Sequence, residues 1–200
     1  EPFSEAVSFT NVSVPVTGTL RAVVDMNNDG LDDVVGMNSE TIDNVTYTTG
    51  VTIAYQQPGG GFSAQTFPTS QIANTPSWSL CAGDLDGNGW NDLMIGGGSK
   101  VSLLFADADG NGFSTDTTYS QYIFCQRTNM VDINNDGLLD AFSCHDVQAN
   151  VYFLNNGNGS FTFYQGGLGN TPGGGNYGSI WTDFDSDGDV DLFIAKCRGG

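Results

Sequence analysis

The chain has 200 residues, with 23 acidic side chains against 5 Lys or Arg, a formal net charge of −18 and charged residues at only 14%. An acidic chain without a Lys or Arg cluster excludes nucleic acid and anionic membrane surfaces as expected partners, because both would repel it. There is no run of about 18 apolar residues, so no helix is expected to insert in a membrane. The 28 Gly, the 13 Phe and the lack of a long amphipathic period point instead to an all-β class of short strands.

In chain order, Glu1 opens no charged-then-apolar leader, so any signal segment is expected to have been removed already. A leading strand is expected around Ala6 to Val12, within residues 1–19. The first full unit then runs from a strand at about Leu20 to Val24 into DMNNDGLDD, Asp25 to Asp33. A short apolar strand follows at Val34 to Gly36, then a connection, a strand at Val51 to Gln56, a Gly-rich turn, and a strand at Phe62 to Thr66. The order repeats from about Ser77, with DLDGNGWND from Asp84 to Asp92, and from about Tyr122, with DINNDGLLD from Asp132 to Asp140. The last acidic stretch, DFDSDGDVD from Asp183 to Asp191, is followed by one strand ending near Lys196. The repeats are thus expected at about 20–76, 77–121 and 122–176, with a partial one at 177–200.

The acidic stretches begin 59, 48 and 51 residues apart, and the apolar runs VTIAY, VSLLF and VYFLN begin at Val51, Val101 and Val151. Each run leads through a Gly-rich turn to a Phe, at Phe62, Phe113 and Phe161. A period near 50 residues made of four short strands predicts a β-propeller of four-stranded blades, since one such sheet cannot bury both its faces without neighbours. One leading strand, three full units and half of a fourth leave a closed four-bladed ring short of one strand. The chain is therefore expected to be part of a larger propeller, with a four-bladed ring closed by pairing of the chain ends as the alternative.

Each acidic stretch places oxygen-bearing side chains at positions 1, 3 and 5, Gly at 6 and Asp at 9. That spacing suits calcium, a hard cation that takes six to eight oxygens in loose geometry, with the Gly permitting the sharp turn. The candidate ligands are Asp25, Asn27, Asp29 and Asp33; Asp84, Asp86, Asn88 and Asp92; Asp132, Asn134, Asp136 and Asp140; and Asp183, Asp185, Asp187 and Asp191. Backbone carbonyls at position 7, from Leu31, Trp90, Leu138 and Asp189, complete the sets, for up to four Ca2+ ions. An EF-hand would need a bidentate Glu at position 12, where this chain has Gly36, Ile95, Ser143 and Ile194. The closing carboxylate has moved to position 9, and strands rather than helices follow. The bland alternative is a set of metal-free Asx turns, which would leave clustered carboxylates repelling one another. The ion would either pin the turn or bridge to a ligand. Sites of this kind suit millimolar extracellular calcium, and four Cys suit an oxidising compartment.

The succession of apolar strand, DxNxDGxxD, apolar strand and NxGxGxF resembles the FG-GAP and VCBS repeats over nearly the whole chain from about Leu20. Four matched loops at one period make the resemblance specific. It implies the calcium-binding propeller found in integrin α subunits, in secreted bacterial proteins and in some fungal lectins. The lack of a regular FG…GAP signature and the tail GSIWTDFDSDGDVDLFIAKCRGG look closest to secreted bacterial VCBS-type members. The resemblance implies a secreted or cell-surface module that binds a glycan or protein ligand and is not an enzyme. The alternatives are an accessory domain of a secreted polysaccharide-degrading enzyme and a structural spacer.

Several residues remain open. Cys125 and Cys144 flank the third loop and could approach across a hairpin, as a disulfide or as two buried free thiols. Cys81 and Cys197 have no comparable argument. His145, the one His, is expected to be structural rather than a general base. Asp107 to Asn111 reads as a hairpin turn rather than a fifth ion site. Trp78, Trp90 and Trp181, with Tyr47, Tyr55, Tyr122 and Tyr177, either fill the space between blades or stack on a ligand; Trp90, at position 7, is the one expected to face solvent. Sequons stand at Asn11, Asn44 and Asn158. Binding loops are expected at Met37 to Thr49, Phe67 to Pro76 and Gly166 to Tyr177.

Overall fold

A computed structural model describes residues 11–73, 79–169 and 174–197. The described residues are all strand, turn and coil, with no helix among them. The first sheet holds β1 (Thr19–Val24), β2 (Asp33–Ile42), β3 (Val45–Gln56) and β4 (Phe62–Ala73) in sequence order. The second holds β5 (Ser79–Gly83), β6 (Asp92–Gly96), β7 (Val101–Ala106) and β8 (Phe113–Thr118). The third holds β9 (Cys125–Val131), β10 (Asp140–His145), β11 (Val151–Asn155) and β12 (Phe161–Gln165). A pair, β13 (Asn176–Thr182) and β14 (Asp191–Lys196), ends the described chain. Every pairing is antiparallel.

The sheets stack face to face, and strand parity shows how. Strand side chains alternate between faces, so the second residue before each acidic loop looks back to the preceding sheet and the third looks on to the next. Ala82 packs into the core between the first and second sheets, and Met130 into that between the second and third. Trp181 meets Phe142 of the third sheet edge to face, with ring centroids 5.1 Å apart. Facing forward, Ala22 and Cys81 pack against these same two cores, and Asn129 accepts a hydrogen bond from the Ser179 hydroxyl. At the two ends nothing described covers these positions: Val23 and Ile180 are each 67% exposed.

The middle sheets are therefore buried on both faces, which is why β6 and β10 are buried at every position rather than at alternate ones. Leu93 and Ile95 face the first sheet's Val35, Val51 and Ile53, while Met94 faces the third sheet's side. Each sandwiched strand thus belongs to two cores. Among the described residues no strand of the first sheet pairs with β13 or β14; a ring closed by pairing of the chain ends would need residues 1–10, which lie outside the described residues.

Other expectations need correction. The connection from Met37 to Thr49 is the projecting end of a β-hairpin: β2 and β3 pair out to Ile42 and Val45. The two intervening residues, Asp43 (φ 50°) and Asn44 (φ 63°), are both left-handed, the turn that matches strand twist. At its tip Thr41, Ile42 and Val45 keep strand structure while exposed, and toward its base Thr48 is fully buried. Likewise β4 runs on to Ala73 rather than ending at Thr66. Asn11 and Val12 lie in coil, and the rest of the expected leading strand, with Trp78 and residues 74–76, lies outside the described residues. Of the segment from Gly166 to Tyr177, residues 170–173 lie outside them as well.

The disulfide between Cys125 and Cys144 is not formed: all four cysteines are free thiols. Cys144 pairs opposite Arg127, and a bulge then sets His145 opposite Cys125. That extra residue puts the two thiols on opposite faces. Cys125 joins the core shared with the second sheet, while Cys144 lies beside Ser179 of β13. Burial pushes the thiols of Cys81 and Cys125 up to about 12 and that of Cys144 up to about 11, so almost no reactive thiolate is present at neutral pH. A thiol reagent is expected to label the exposed Cys197 quickly in the native chain and all four cysteines in non-reducing denaturant. Labelling of only two in denaturant would restore the disulfide.

His145 is fully buried. Its Nδ1 accepts the Val147 N–H at 3.3 Å, which leaves the proton on Nε2 to be donated to the Tyr122 carbonyl at 3.2 Å. Burial lowers its pKa and keeps it neutral. It fixes two loops and faces no open site.

Candidate metal centres

Each acidic stretch links the first and second strands of its sheet and folds alike. The position 1 carboxylate takes the N–H groups of positions 5 and 6. Asp25 receives Asp29 and Gly30 at 3.2 and 2.8 Å; Asp84 receives Asn88 and Gly89 at 3.0 and 2.9 Å. Asp132 receives Asp136 and Gly137 at 3.0 and 2.8 Å; Asp183 receives Asp187 and Gly188, both at 3.1 Å. Gly at position 6 has φ of 83°, 92°, 89° and 98° in the four loops, a conformation that other residues strain to adopt. The side chain at position 5 (Asp29, Asn88, Asp136 or Asp187) caps the N–H of position 7, that of Leu31, Trp90, Leu138 or Asp189, at 2.8 to 3.0 Å.

Position 9 has a second role that the spacing did not reveal. Asp33 takes the Met26 N–H on one oxygen and the Gln56 N–H on the other, both at 2.9 Å. Asp92 does the same with Leu85 and Ala106, both at 2.8 Å, and Asp140 with Ile133 at 2.9 Å and Asn155 at 2.7 Å. In each case one bond ties down the loop and the other holds the end of the third strand. These three aspartates are fully buried. Asp191 holds Phe184 N–H at 2.8 Å and is only partly buried, since its sheet has two described strands.

In the second loop, oxygens of Asp84, Asp86 and Asp92 lie within 4.8 Å of one another, and in the fourth those of Asp183, Asp185 and Asp191 do so. Positions 1, 3 and 9 therefore converge there, while Asp187 at position 5 is not in that group. In the first and third loops position 3 is an amide, and Asn27 and Asn134 donate to Asp29 and Asp136 at 3.1 and 2.8 Å. Every side-chain donor at the ligand positions is a carboxylate or amide oxygen, a set that suits a hard divalent cation and no soft one. Burial raises the carboxyls of Asp33 and Asp140 and pushes Asp92 up to about 7, although backbone N–H groups oppose it. Desolvation holds these charges at a cost, which a cation beside them would offset.

Trp90 differs from the expectation. It is half-buried, and its ring lies across the β7–β8 turn: a Cβ on Gly110 would come within 2.5 Å of it. That turn, where Gly110 N–H bonds the Asp107 carbonyl at 2.8 Å, is the Asp107 to Asn111 stretch. A cavity of about 310 Å³ separates the second and third loops, lined by Asp84, Asp86, Gly87, Leu138 and Asn155 among others.

Comparison with known proteins places these loops in context. The model of a family described as FG-GAP-like repeat matches residues 25–95 and 132–194. Phosphatidylinositol-glycan-specific phospholipase D of Rattus norvegicus is 34% identical over 99 residues, 44% of this chain and 12% of that protein's length. A solved Agrocybe aegerita lectin, described as specifically recognising non-reducing terminal N-acetylglucosamine, aligns with 72% of this chain and 37% of its own, at 23% identity and a TM-score of 0.49.

Proposed function

The chain belongs to the FG-GAP-like repeat family, and from that premise we propose that it is an arc of a calcium-binding β-propeller. It acts outside the cell as an adhesion or recognition module for a glycan or protein ligand and catalyses no reaction. The observation that supports this best is the fourfold recurrence of one all-oxygen loop at one place in each sheet, with the carboxylates of positions 1, 3 and 9 converging in the second and fourth loops. Calcium would be held by the side chains at positions 1, 3, 5 and 9 and the carbonyl at position 7, and it would neutralise the clustered carboxylates and pin the turn. The finer assignment, a VCBS-type repeat of a secreted bacterial protein, rests on the missing FG…GAP signature.

The chain's own residues would do the rest. Asp33, Asp92 and Asp140 lock each loop to the third strand of its sheet, so order at the loop is passed to the outer strands and to the hairpins beyond them. The projecting β2–β3 hairpin and the third-to-fourth strand turns are the surfaces on offer to a ligand. A second reading, a non-catalytic accessory part of a larger enzyme, is favoured by the 99-residue likeness to a stretch of a phospholipase.

The test is a broad glycan array probed in millimolar calcium and again with chelator, beside a folding check by circular dichroism. Specific binding in calcium is the expected result. Retention of the signal by folded, chelated protein would assign the ion a purely structural role. A blank array from folded protein would shift the ligand class to protein.

A further inference from the structure

The acidic loops are not independent of one another. Between the first and second, Asn28 at position 4 donates to the Gly89 carbonyl at 3.2 Å. Asn91, at position 8 of the second loop, reaches back with its side-chain amide to the Asp25 carbonyl at 2.5 Å and with its backbone N–H to the Met26 carbonyl at 3.3 Å. Between the second and third, position 4 is Gly87 and has no amide to offer. There Asn155, at the end of β11, bonds the Leu85 carbonyl of the second loop at 2.7 Å and the Leu139 carbonyl of the third at 3.1 Å. Between the third and fourth, Asn135 donates to the Asp189 carboxylate at 2.9 Å.

We propose that this chain of asparagines, Asn28 and Asn91, Asn155, and Asn135, couples the four loops, so that calcium in one loop raises the calcium affinity of its neighbour. The inference rests on the calcium reading above and adds to it residues that are not ligands. The contacts fall where they matter. Asn28 holds the carbonyl of position 6, next to the peptide that bears the position 7 ligand, and Asn91 holds the backbone of positions 1 and 2. Ordering one nine-residue loop around an ion therefore fixes atoms at the edge of the next, which then loses less conformational freedom when its own ion binds. The bond from Asn135 is the one with a charged acceptor, the stronger kind, and it can be cut cleanly from both sides. Asn135 sits at φ 59°, which Gly adopts without strain, and Gly already fills the same position of the second loop. Asp189 enters the ligand set only through its backbone carbonyl, so its side chain can be removed without removing that ligand.

The experiment is a calcium titration of the full chain followed by the amide resonances of Gly30, Gly89, Gly137 and Gly188, one reporter per loop, each hydrogen-bonded to its own position 1 carboxylate. The fourth loop is disabled with Asp185→Ala. In the otherwise unaltered chain this is expected to weaken binding at the Gly137 reporter roughly fivefold. In an Asn135→Gly or an Asp189→Ala background the same change should weaken it by less than about twofold, as a double-mutant cycle requires. A third-loop affinity that ignores Asp185→Ala would overturn the coupling, and so would a fivefold loss that persists in both severed backgrounds. Failure of all four glycines to respond to calcium in the unaltered chain would instead remove the calcium reading, and the coupling with it.

Discussion

Removing calcium with a chelator is expected to lower the Tm of the chain by roughly 10–20 °C. An ion bound only by the folded state stabilises it by RT ln(1 + [L]/Kd), which is about 1.4 kcal/mol per site when calcium stands at ten times Kd. Extracellular modules with Kd near 0.1 mM reach that ratio at about 1 mM calcium, and four such sites give about 5–6 kcal/mol. For a chain of this size 1 kcal/mol moves Tm by about 2–4 °C. The carboxylates add to the effect, because without the ion Asp33, Asp92 and Asp140 are left buried beside the other acids of their loops. Differential scanning calorimetry in calcium and in chelator measures it. An unchanged Tm would mean that the loops are Asx turns without metal.

The second large effect separates the two jobs of position 9. Asp140→Ala removes acceptors from two N–H groups, those of Ile133 and Asn155, beneath a fully buried side chain. Each orphaned buried donor costs about 1–3 kcal/mol. Part of this is returned, because the carboxyl lost was one that burial had raised, so the net loss is about 2 kcal/mol even in chelator. Asp191→Ala breaks one bond, to Phe184, at a partly exposed site, and should cost less than about 1 kcal/mol under the same conditions. Urea unfolding in chelator reads both. Equal losses would reduce position 9 to a metal ligand alone and refute its role as the tie between loop and third strand.

Much of this was legible in the sequence for a physical reason. Strand runs such as Val101 to Phe105 and the nine-residue loops are specified by neighbours in the chain, as is the hairpin turn at Asp107 to Asn111. The hairpin beyond Met37 carries a weak strand signal, because its Thr, Glu and Asn form no apolar alternation, although the Asp43-Asn44 pair is a turn signal of the right kind. The cysteine pairing could not be read, since one bulge at Gln126 reverses the face of Cys125 and no residue type announces it. Position 7 of its loop predicts that Trp90 faces solvent, whereas the ring folds over Gly110, a neighbour that comes within reach only once β7 and β8 lie beside the loop.

The sequence by itself determined the all-β class, the period near 50 residues and the four oxygen-lined loops, because these follow from residue types at short, fixed spacings. The tertiary structure alone decided which face of each strand meets which sheet, that Val23 and Ile180 are left exposed, that position 9 clasps the third strand, and that asparagines join one loop to the next. Those features depend on strand register and on contacts such as that of Asn155 with Leu85, 70 residues apart. A local pattern can require that a polar group find a partner; only the packing of one sheet on another chooses which.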